Sequence, residues 1–471
     1  VFVYNYKTQP YEHQRQALIK GAEAKNYAYF MEMGTGKTKV AIDNACWLYL
    51  QNKIKHVFVI APKTVYLNWL KEIETHASVD YNIWTWKVDS DKLFNFGGID
   101  QLNFVLMNVE ALSHKSGQKW LESKLVKYGL QSMLILDEST TIKNNSALRT
   151  KAIVKLGSFL KYKRILTGSP ITKSPLDLFT QCAFLDRSLL GYDSYFVFRN
   201  RYAVMHQVEM GGKIVMFPKY YTNLDELENR LKTFSYRVRK KDCLDLPDKV
   251  YAQRYIELTD EQKQMYSDLK RKAMTIIHDE TVSFNNKLTE VLRLHQITCG
   301  FLNTDSGEIH EFKNNPKLKE LLNILEETED KCIIWANYVY NIEMIKTKLK
   351  ERYGKEAVVS IYGKDSVDVR KKAVERFQSD DRCRFLVGNP TTGGYGLTLT
   401  AARNVIYYSN SYNLEVRLQS EDRAHRIGQS SKVTYIDLIV KDSIDTMILG
   451  SLEGKVKISA KTLGEEVMKW L

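Results

Sequence analysis

The chain is poor in cysteine: six among 471 residues, at positions 46, 182, 243, 299, 332 and 383. They are scattered and no C-x-x-C occurs, so neither a zinc site nor a disulfide framework is indicated. A reduced, intracellular protein is the expectation. No apolar run approaches the ~18 residues of a membrane span, and no signal-peptide pattern opens the sequence. The chain begins at Val1 rather than Met, which leaves room for an upstream piece.

What is present is ample apolar sequence and an excess of base. Hydrophobic residues make up 44% and charged residues 27%, the balance of a globular protein, and the length suits two or three domains. The net charge of +13 fits a polyanionic partner such as nucleic acid, or a generally basic solvated surface.

One stretch organises the rest: Met31-Glu32-Met33-Gly34-Thr35-Gly36-Lys37-Thr38. It follows an apolar run, Tyr27 to Phe30, that reads as a buried strand. It precedes Ala41, Ala45 and Leu48 at helical spacing. Strand, glycine-rich turn, Gly-Lys-Thr and helix form the setting of a nucleotide phosphate loop. Gly34, Thr35 and Gly36 would bring backbone N–H groups to phosphate oxygens, helped by the positive end of the helix. Lys37 would reach the β- and γ-phosphates of ATP, and the Thr38 hydroxyl would sit on Mg²⁺. Met31 stands where the common pattern begins with glycine. By itself the motif would also suit a small kinase.

Upstream, Gln14 in Pro10-Tyr11-Glu12-His13-Gln14 has the donors and acceptor to grip an adenine edge, or is simply part of an N-terminal helix. Downstream, His56 to Ile60 reads as a core strand ending at Pro62-Lys63-Thr64, with Trp69 on the next helix. Phe104 to Met107 repeats the pattern and ends at Asn108. Lys63, Thr64 and Asn108 are candidate backbone-phosphate contacts for nucleic acid, or ordinary loop residues. Met133 to Leu136 ends in Asp137-Glu138. Two acids at the end of an apolar strand suit chemistry: Asp137 to hold Mg²⁺, Glu138 to orient or deprotonate water. Lys163 to Leu166 leads to Thr167-Gly168-Ser169-Pro170, whose hydroxyls suit sensing of the γ-phosphate. Five strands, each followed by helical sequence, predict one doubly wound α/β lobe.

From about Leu176 to Pro316 the rhythm breaks, and helical protrusions and a linker are expected. Gly211-Gly212 reads as a hairpin turn. Asn223 with Glu226, and Thr259 with Gln262, read as capping boxes. Arg237, Arg239, Lys240 and Lys241 read as a solvated basic face. Alternation returns with Cys332 to Ala336, Val358 to Ile361, Arg384 to Val387, Val405 to Tyr408 and Thr434 to Ile439. The third of these leads into a glycine-rich loop with Thr391, Thr392 and Gly396, suited to phosphate contact. Read as a helix, Gln419, Arg423 and Arg426 share one face. Two convergent arginines suit an anion, as arginine fingers for the γ-phosphate, or pair with Glu421 and Asp422 on a surface helix.

Together these motifs resemble the superfamily-two helicase motor of the Swi/Snf type. The phosphate loop resembles that family's Asp-Glu-Met-Gly-Leu-Gly-Lys-Thr, and Asp137-Glu138-Ser139-Thr140-Thr141-Ile142-Lys143-Asn144 is similar to its Asp-Glu-Gly-His-Arg-Ile-Lys-Asn. Asp422-Arg423-Ala424-His425-Arg426-Ile427-Gly428-Gln429 matches a diagnostic motif without change. The resemblance runs from Tyr11 to about Ile448. It implies two RecA-like parallel-sheet lobes, at 1–255 and 256–471, with helical protrusions between them. It also implies ATP and Mg²⁺ as cofactors and hydrolysis stimulated by DNA. The partner is expected to be duplex or branched DNA bound without sequence preference by Lys63, Thr64, Asn108, Thr391 and Thr392. A cytoplasmic or nucleoid-associated place follows, a nuclear one staying open. Three activities fit: a duplex-DNA translocase that remodels protein–DNA or branched structures, a strand-separating or branch-migrating helicase, and a poorly hydrolysing nucleotide-dependent DNA-binding module. Thr140 stands where the family has a histidine that couples the site to the Thr-Gly-Ser-Pro loop, so the strength of that coupling is in question. No bromo-, chromo-, SANT-, RING- or nuclease-like segment is visible, and the motor is near-minimal, like viral or bacterial members.

Overall fold

The structure is a computed structural model describing residues 3–63, 65, 66, 68–86, 100–210, 213–278, 284–304, 306–393 and 397–466. The apolar runs of the first half become β1 (Asn26–Met31), β2 (His56–Ala61), β3 (Tyr81–Thr85), β4 (Leu102–Asn108), β5 (Ser132–Asp137) and β6 (Tyr162–Leu166). β7 (Ala203–Met210) and β8 (Lys213–Tyr221) form a two-stranded sheet of their own, and β9 (Ser235–Val238) returns to the first sheet. Its order is β3-β4-β2-β5-β6-β1-β9, with every neighbouring pair parallel.

A parallel sheet must be covered on both faces, so its central strands read as unbroken apolar runs. β2 and β5 bury every residue. The helix Lys37–Leu50 seats Ala41, Ala45 and Leu48 in one core with Val57, Val59 and Ile135. β6 carries a buried exception. Arg164 donates to Asn44 Oδ1 and to the carbonyls of Gly21, Ala24, Lys25 and Lys163. A cation among carbonyls at the C-terminal end of the helix Glu12–Gly21 is favoured by the helix dipole and ties that helix to the sheet.

The second sheet is built from β10 (Lys249–Ile256), β13 (Cys332–Trp335), β14 (Val358–Ile361), β15 (Phe385–Gly388), β16 (Asn404–Tyr407) and β17 (Val433–Val440). A small antiparallel pair, β11 (Phe301–Asn303) and β12 (Ile309–Glu311), stands apart. The order is β10-β17-β16-β13-β15-β14, again all parallel. Both lobes are therefore doubly wound α/β lobes of the RecA-like kind. The chain divides into two compact units, one of Val1–Ala203, Tyr221–Asp245 and Ile458–Glu466, the other including Val204–Tyr220 and Leu246–Lys457.

Each sheet has more strands than the apolar runs predict. The unforeseen members, β3, β9 and β10, are edge strands, and most of their residues are only half-buried. A strand covered on one side needs no unbroken apolar run. β9 also corrects the reading of the basic run: Arg237 is part of the sheet rather than of a solvated face. Of the two capping boxes, Thr259 and Gln262 form theirs, each accepting from the other's backbone N–H at 3.2 and 3.3 Å. Asn223 does not: its side chain donates to the Arg201 carbonyl, and Glu226 is taken by Arg201, Arg230 and Tyr202. The turn at Gly211-Gly212 lies outside the described residues. Among the described residues no helix is long and apolar enough to cross a membrane.

Buried ionisable groups give the fold a pH dependence. In the second unit the Lys317 ammonium lies 2.6 Å from Asp445 Oδ2, and His295 Nε2 lies 3.6 Å from Asp445 Oδ1. Burial holds the His295 imidazole down to about 4, with Lys317 acting the same way and Asp445 against it. In the first unit burial, with Lys55, takes His56 to about 4. Between those values and the ordinary 6.5 the unfolded chain binds protons that the folded chain refuses. The contribution of these two histidines to stability is therefore full above about pH 6.5 and is lost as pH falls toward about 4. Denaturant titrations at neutral pH and at roughly pH 5 should differ by about 2 kcal/mol per histidine, and His295→Gln and His56→Gln should each remove part of that difference.

Candidate nucleotide site

Because every strand of the first sheet is parallel, all their C-terminal loops leave one edge, where ligands of such sheets bind. The loop after β1 turns through Gly34 and Gly36, at φ of 85° and 87°, a left-handed conformation that glycine adopts without strain. The Thr35 N–H and hydroxyl both donate to the Glu32 carbonyl, at 3.2 and 2.8 Å. A Cβ on Gly36 would also lie 2.1 Å from Gln14 Nε2, so Gln14 would have to move.

Gln14 accepts from the Tyr11 N–H at 3.1 Å and donates to the Thr35 carbonyl at 3.1 Å. His13 Nε2 meets the same carbonyl at 2.8 Å. Gln14 thus braces the phosphate loop from outside, a role that neither an adenine grip nor a plain helix position implies. His13 does the same, and nothing in its spacing marks it.

Lys37 and Glu138 face each other across the loop edge. Lys37 Nζ lies 3.5 Å from Glu138 Oε1, and both side chains are nearly enclosed. Asp137 ends β5 fully buried. Its Oδ2 accepts from the Trp69 indole N–H at 3.0 Å and its Oδ1 from the Glu138 N–H at 3.0 Å. These two bonds orient the carboxylate and leave lone pairs for a metal or its water. Glu138 itself sits at φ 48° and ψ 62°, a left-handed conformation costing a non-glycine residue about 1–3 kcal/mol.

The donors suit Mg²⁺. The ion prefers one or two protein oxygens, with phosphate and water completing its shell. Asp137 is a single oriented carboxylate, and among the described residues the Thr38 hydroxyl has no hydrogen-bond partner. No cluster of three or more His, Cys, Asp or Glu competes for a metal among them.

The loop Thr167–Pro170 is wedged against this apparatus. A Cβ on Gly168 would come within 3.1 Å of the Met33 nitrogen, so a larger residue would press the two loops apart by a few tenths of an ångström. Arg237, from β9, donates to the Gly168 carbonyl at 2.7 Å and the Phe30 carbonyl at 3.3 Å, and pairs with Glu32 and Glu465. Its sequence marks it only as one of four basic residues; pairing of β9 with β1 brings it here.

The candidate DNA contacts are more scattered. The Lys63 N–H donates to the Glu110 carboxylate, and its side chain is exposed. Asn108 caps the following turn, accepting from the Ala111 N–H at 2.9 Å. Thr391 and Thr392 stand on a helical turn, Pro390–Gly393, after β15. Thr64 lies outside the described residues, as does Gly396 of the glycine-rich loop.

In the second unit the helix Leu414–Glu421 stops before the arginines, so Gln419, Arg423 and Arg426 do not share a helical face. The two arginines converge by a turn instead. Each donates from Nη1 to the Leu397 carbonyl at 3.3 Å, and Arg423 Nε donates to the Gln419 carbonyl at 3.0 Å. Arg423 is only 1% exposed, whereas Arg426 is half-buried. Glu421 is engaged elsewhere, by Arg417 at 2.8 Å, Lys249 at 2.9 Å and Tyr251 at 2.8 Å. Arg417 also grips Asp437 on β17, with Nη1 to Oδ1 at 2.5 Å and Nη2 to Oδ2 at 3.0 Å. Gln429 closes the turn by donating to the carbonyls of Thr400, Ala402 and Ala424.

A phosphate-loop sequence, a strand-end Asp-Glu pair and two parallel-sheet lobes make a two-lobed, helicase-type fold. The SNF2-related domain matches residues 23–301 and the helicase conserved C-terminal domain matches residues 315–428. The chain belongs to the SNF2-related family. It is 28% identical over 446 residues to an uncharacterized ATP-dependent helicase of Mycoplasma genitalium, across 93% of this chain and 40% of that protein. It is 28% identical over 458 residues to a putative ATP-dependent helicase/translocase of Bacillus subtilis, across 93% of this chain and 46% of that protein. The chain thus spans less than half the length of these relatives. The SWI2/SNF2 ATPase core of Sulfolobus solfataricus, solved in complex with dsDNA, is similar at 24% identity, with a TM-score of 0.45, over 95% of this chain and 91% of that one.

Proposed function

We propose that the protein is an ATP-driven motor that translocates on duplex DNA and remodels protein–DNA or branched DNA structures. The observation that carries this is the Lys37–Glu138–Asp137 group at the edge of the first sheet, in a chain of the SNF2-related family. The name of the Bacillus subtilis relative, helicase/translocase, supports motion as the use of hydrolysis.

Lys37 and the backbone N–H groups of Gly34, Gly36, Lys37 and Thr38 bind and orient the phosphates, and Gln14 keeps their loop in shape. Glu138 holds the attacking water and takes its proton. Thr38 and Asp137, the latter directly or through water, would hold Mg²⁺, which would supply neutralisation of phosphate charge. Arg423 and Arg426 of the second unit stabilise the transferring phosphoryl group when the lobes close. Lys63, Thr64, Asn108, Thr391 and Thr392 contact DNA backbone, so binding is largely indifferent to sequence. Gly396 and Gln419 assist at the nucleotide. The place of action is a DNA-containing compartment, the cytoplasm or nucleoid, with the nucleus left open.

The test is ATP turnover without DNA and with single-stranded, duplex, forked and junction DNA. Duplex or branched DNA should stimulate it, with weak sequence preference. Each neutralised phosphate should add about −0.9 to the log–log salt slope on duplex DNA. A third strand should be displaced with little unwinding of a blunt duplex. Stimulation by single strands alone would overturn the assignment, and efficient unwinding of a tailed duplex would promote the helicase reading.

A further inference from the structure

The resemblance places coupling between the Asp-Glu turn and the Thr-Gly-Ser-Pro loop on a histidine, and this chain has Thr140 there. A different connection lies one residue earlier. The Ser139 hydroxyl donates to Gln181 Oε1 at 2.6 Å. Gln181 Nε2 donates in turn to the Pro170 carbonyl at 2.8 Å and to the Asp177 carbonyl at 2.8 Å. Both side chains are fully buried, at 0% exposure. Gln181 is a polar break in a largely apolar helical stretch, Leu178–Leu185. An amide in such a core costs free energy unless every donor is met, and here both are.

The position of this amide makes it a relay rather than a simple core bond. Ser139 directly follows Glu138, the proposed base, whose backbone is left-handed. The far end of the same turn is held separately, by Thr180 Oγ1 donating to the Ile142 carbonyl at 2.7 Å and Lys143 Nζ donating to Thr172 Oγ1 at 2.7 Å. The near end is joined to the Thr167–Pro170 loop through Gln181. That loop's other side touches the phosphate loop at Gly168.

We infer that Gln181 is a positioning residue that, through Ser139 and Pro170, transmits the state of Glu138 to the Thr167–Pro170 loop and so couples hydrolysis to DNA. The inference rests on the DNA-motor reading. Its test uses Ser139→Ala, Gln181→Leu and the double variant, each assayed for nucleotide affinity, turnover without DNA, DNA-stimulated turnover and melting temperature. Stimulation should fall by about tenfold in each single variant, within the usual range of coupling between sites, while affinity and DNA-free turnover stay within about twofold. The double variant should be no worse than the poorer single one, because the three groups form one path. Ser139→Ala leaves both Gln181 donors satisfied, so it carries the test where Gln181→Leu folds poorly. Loss of DNA-free and stimulated turnover in equal proportion, with a lowered melting temperature, would make the pair merely structural and overturn the inference. Stimulation unchanged in both variants would sink it alone. Absence of stimulation in the parent protein would sink the DNA-motor reading and the inference together.

Discussion

Glu138→Gln should bind ATP with near-normal affinity and hydrolyse it about 10²–10⁴-fold more slowly. The amide keeps the size and left-handed placement of the side chain but cannot accept the proton of the attacking water. It also removes the negative partner of Lys37, now 3.5 Å away, so the ammonium is freer for phosphate and affinity should not fall. Lys37→Ala should do the opposite, abolishing productive phosphate binding and with it any motion on DNA. Pre-steady-state hydrolysis with a separate nucleotide-binding titration distinguishes the two. Near-normal turnover in Glu138→Gln would remove the base from Glu138 and leave water positioning to other groups.

Arg426→Ala should cost turnover far more than affinity. An arginine that meets the γ-phosphate is worth about 10³–10⁵ in rate in other phosphate-loop enzymes. Arg426 is the cleaner probe because the residue is half-buried, whereas Arg423 is only 1% exposed. Arg423→Ala should show the same loss of turnover together with a loss of stability. Its guanidinium is enclosed and bonded to two carbonyls of its own unit, which truncation would leave short of a donor. Arg426→Lys keeps the charge but not the planar fork and should recover little. Loss of affinity with turnover intact would assign both arginines to the internal architecture of the second unit.

Much of the site is legible in the linear sequence because phosphate chemistry constrains residue type and order. Gly34, Gly36 and Lys37 announce themselves by spacing, and Asp137-Glu138 by two acids ending an apolar strand. The central strands are legible for the same reason their cores exist: a parallel strand buried on both faces must be apolar throughout. β3, β9 and β10 are not, because these three edge strands carry mixed, half-buried sequence. Arg423 and Arg426 are legible as a convergent pair but not in their conformation, since helical spacing carries on past Glu421, where the backbone turns.

The sequence by itself determined the family and the order of the strand-end loops that carry the candidate groups, because those depend on which groups are present and on local turns. Only the tertiary structure decided how those loops support one another. Trp69 orients Asp137 from 68 residues away, and Gln181 reaches Ser139 across 42. Arg237 meets Gly168 across 69 residues. Such bonds depend on which strands are neighbours, and a parallel sheet makes neighbours of segments far apart in the chain. A linear pattern carries no record of that pairing until the apolar faces are packed.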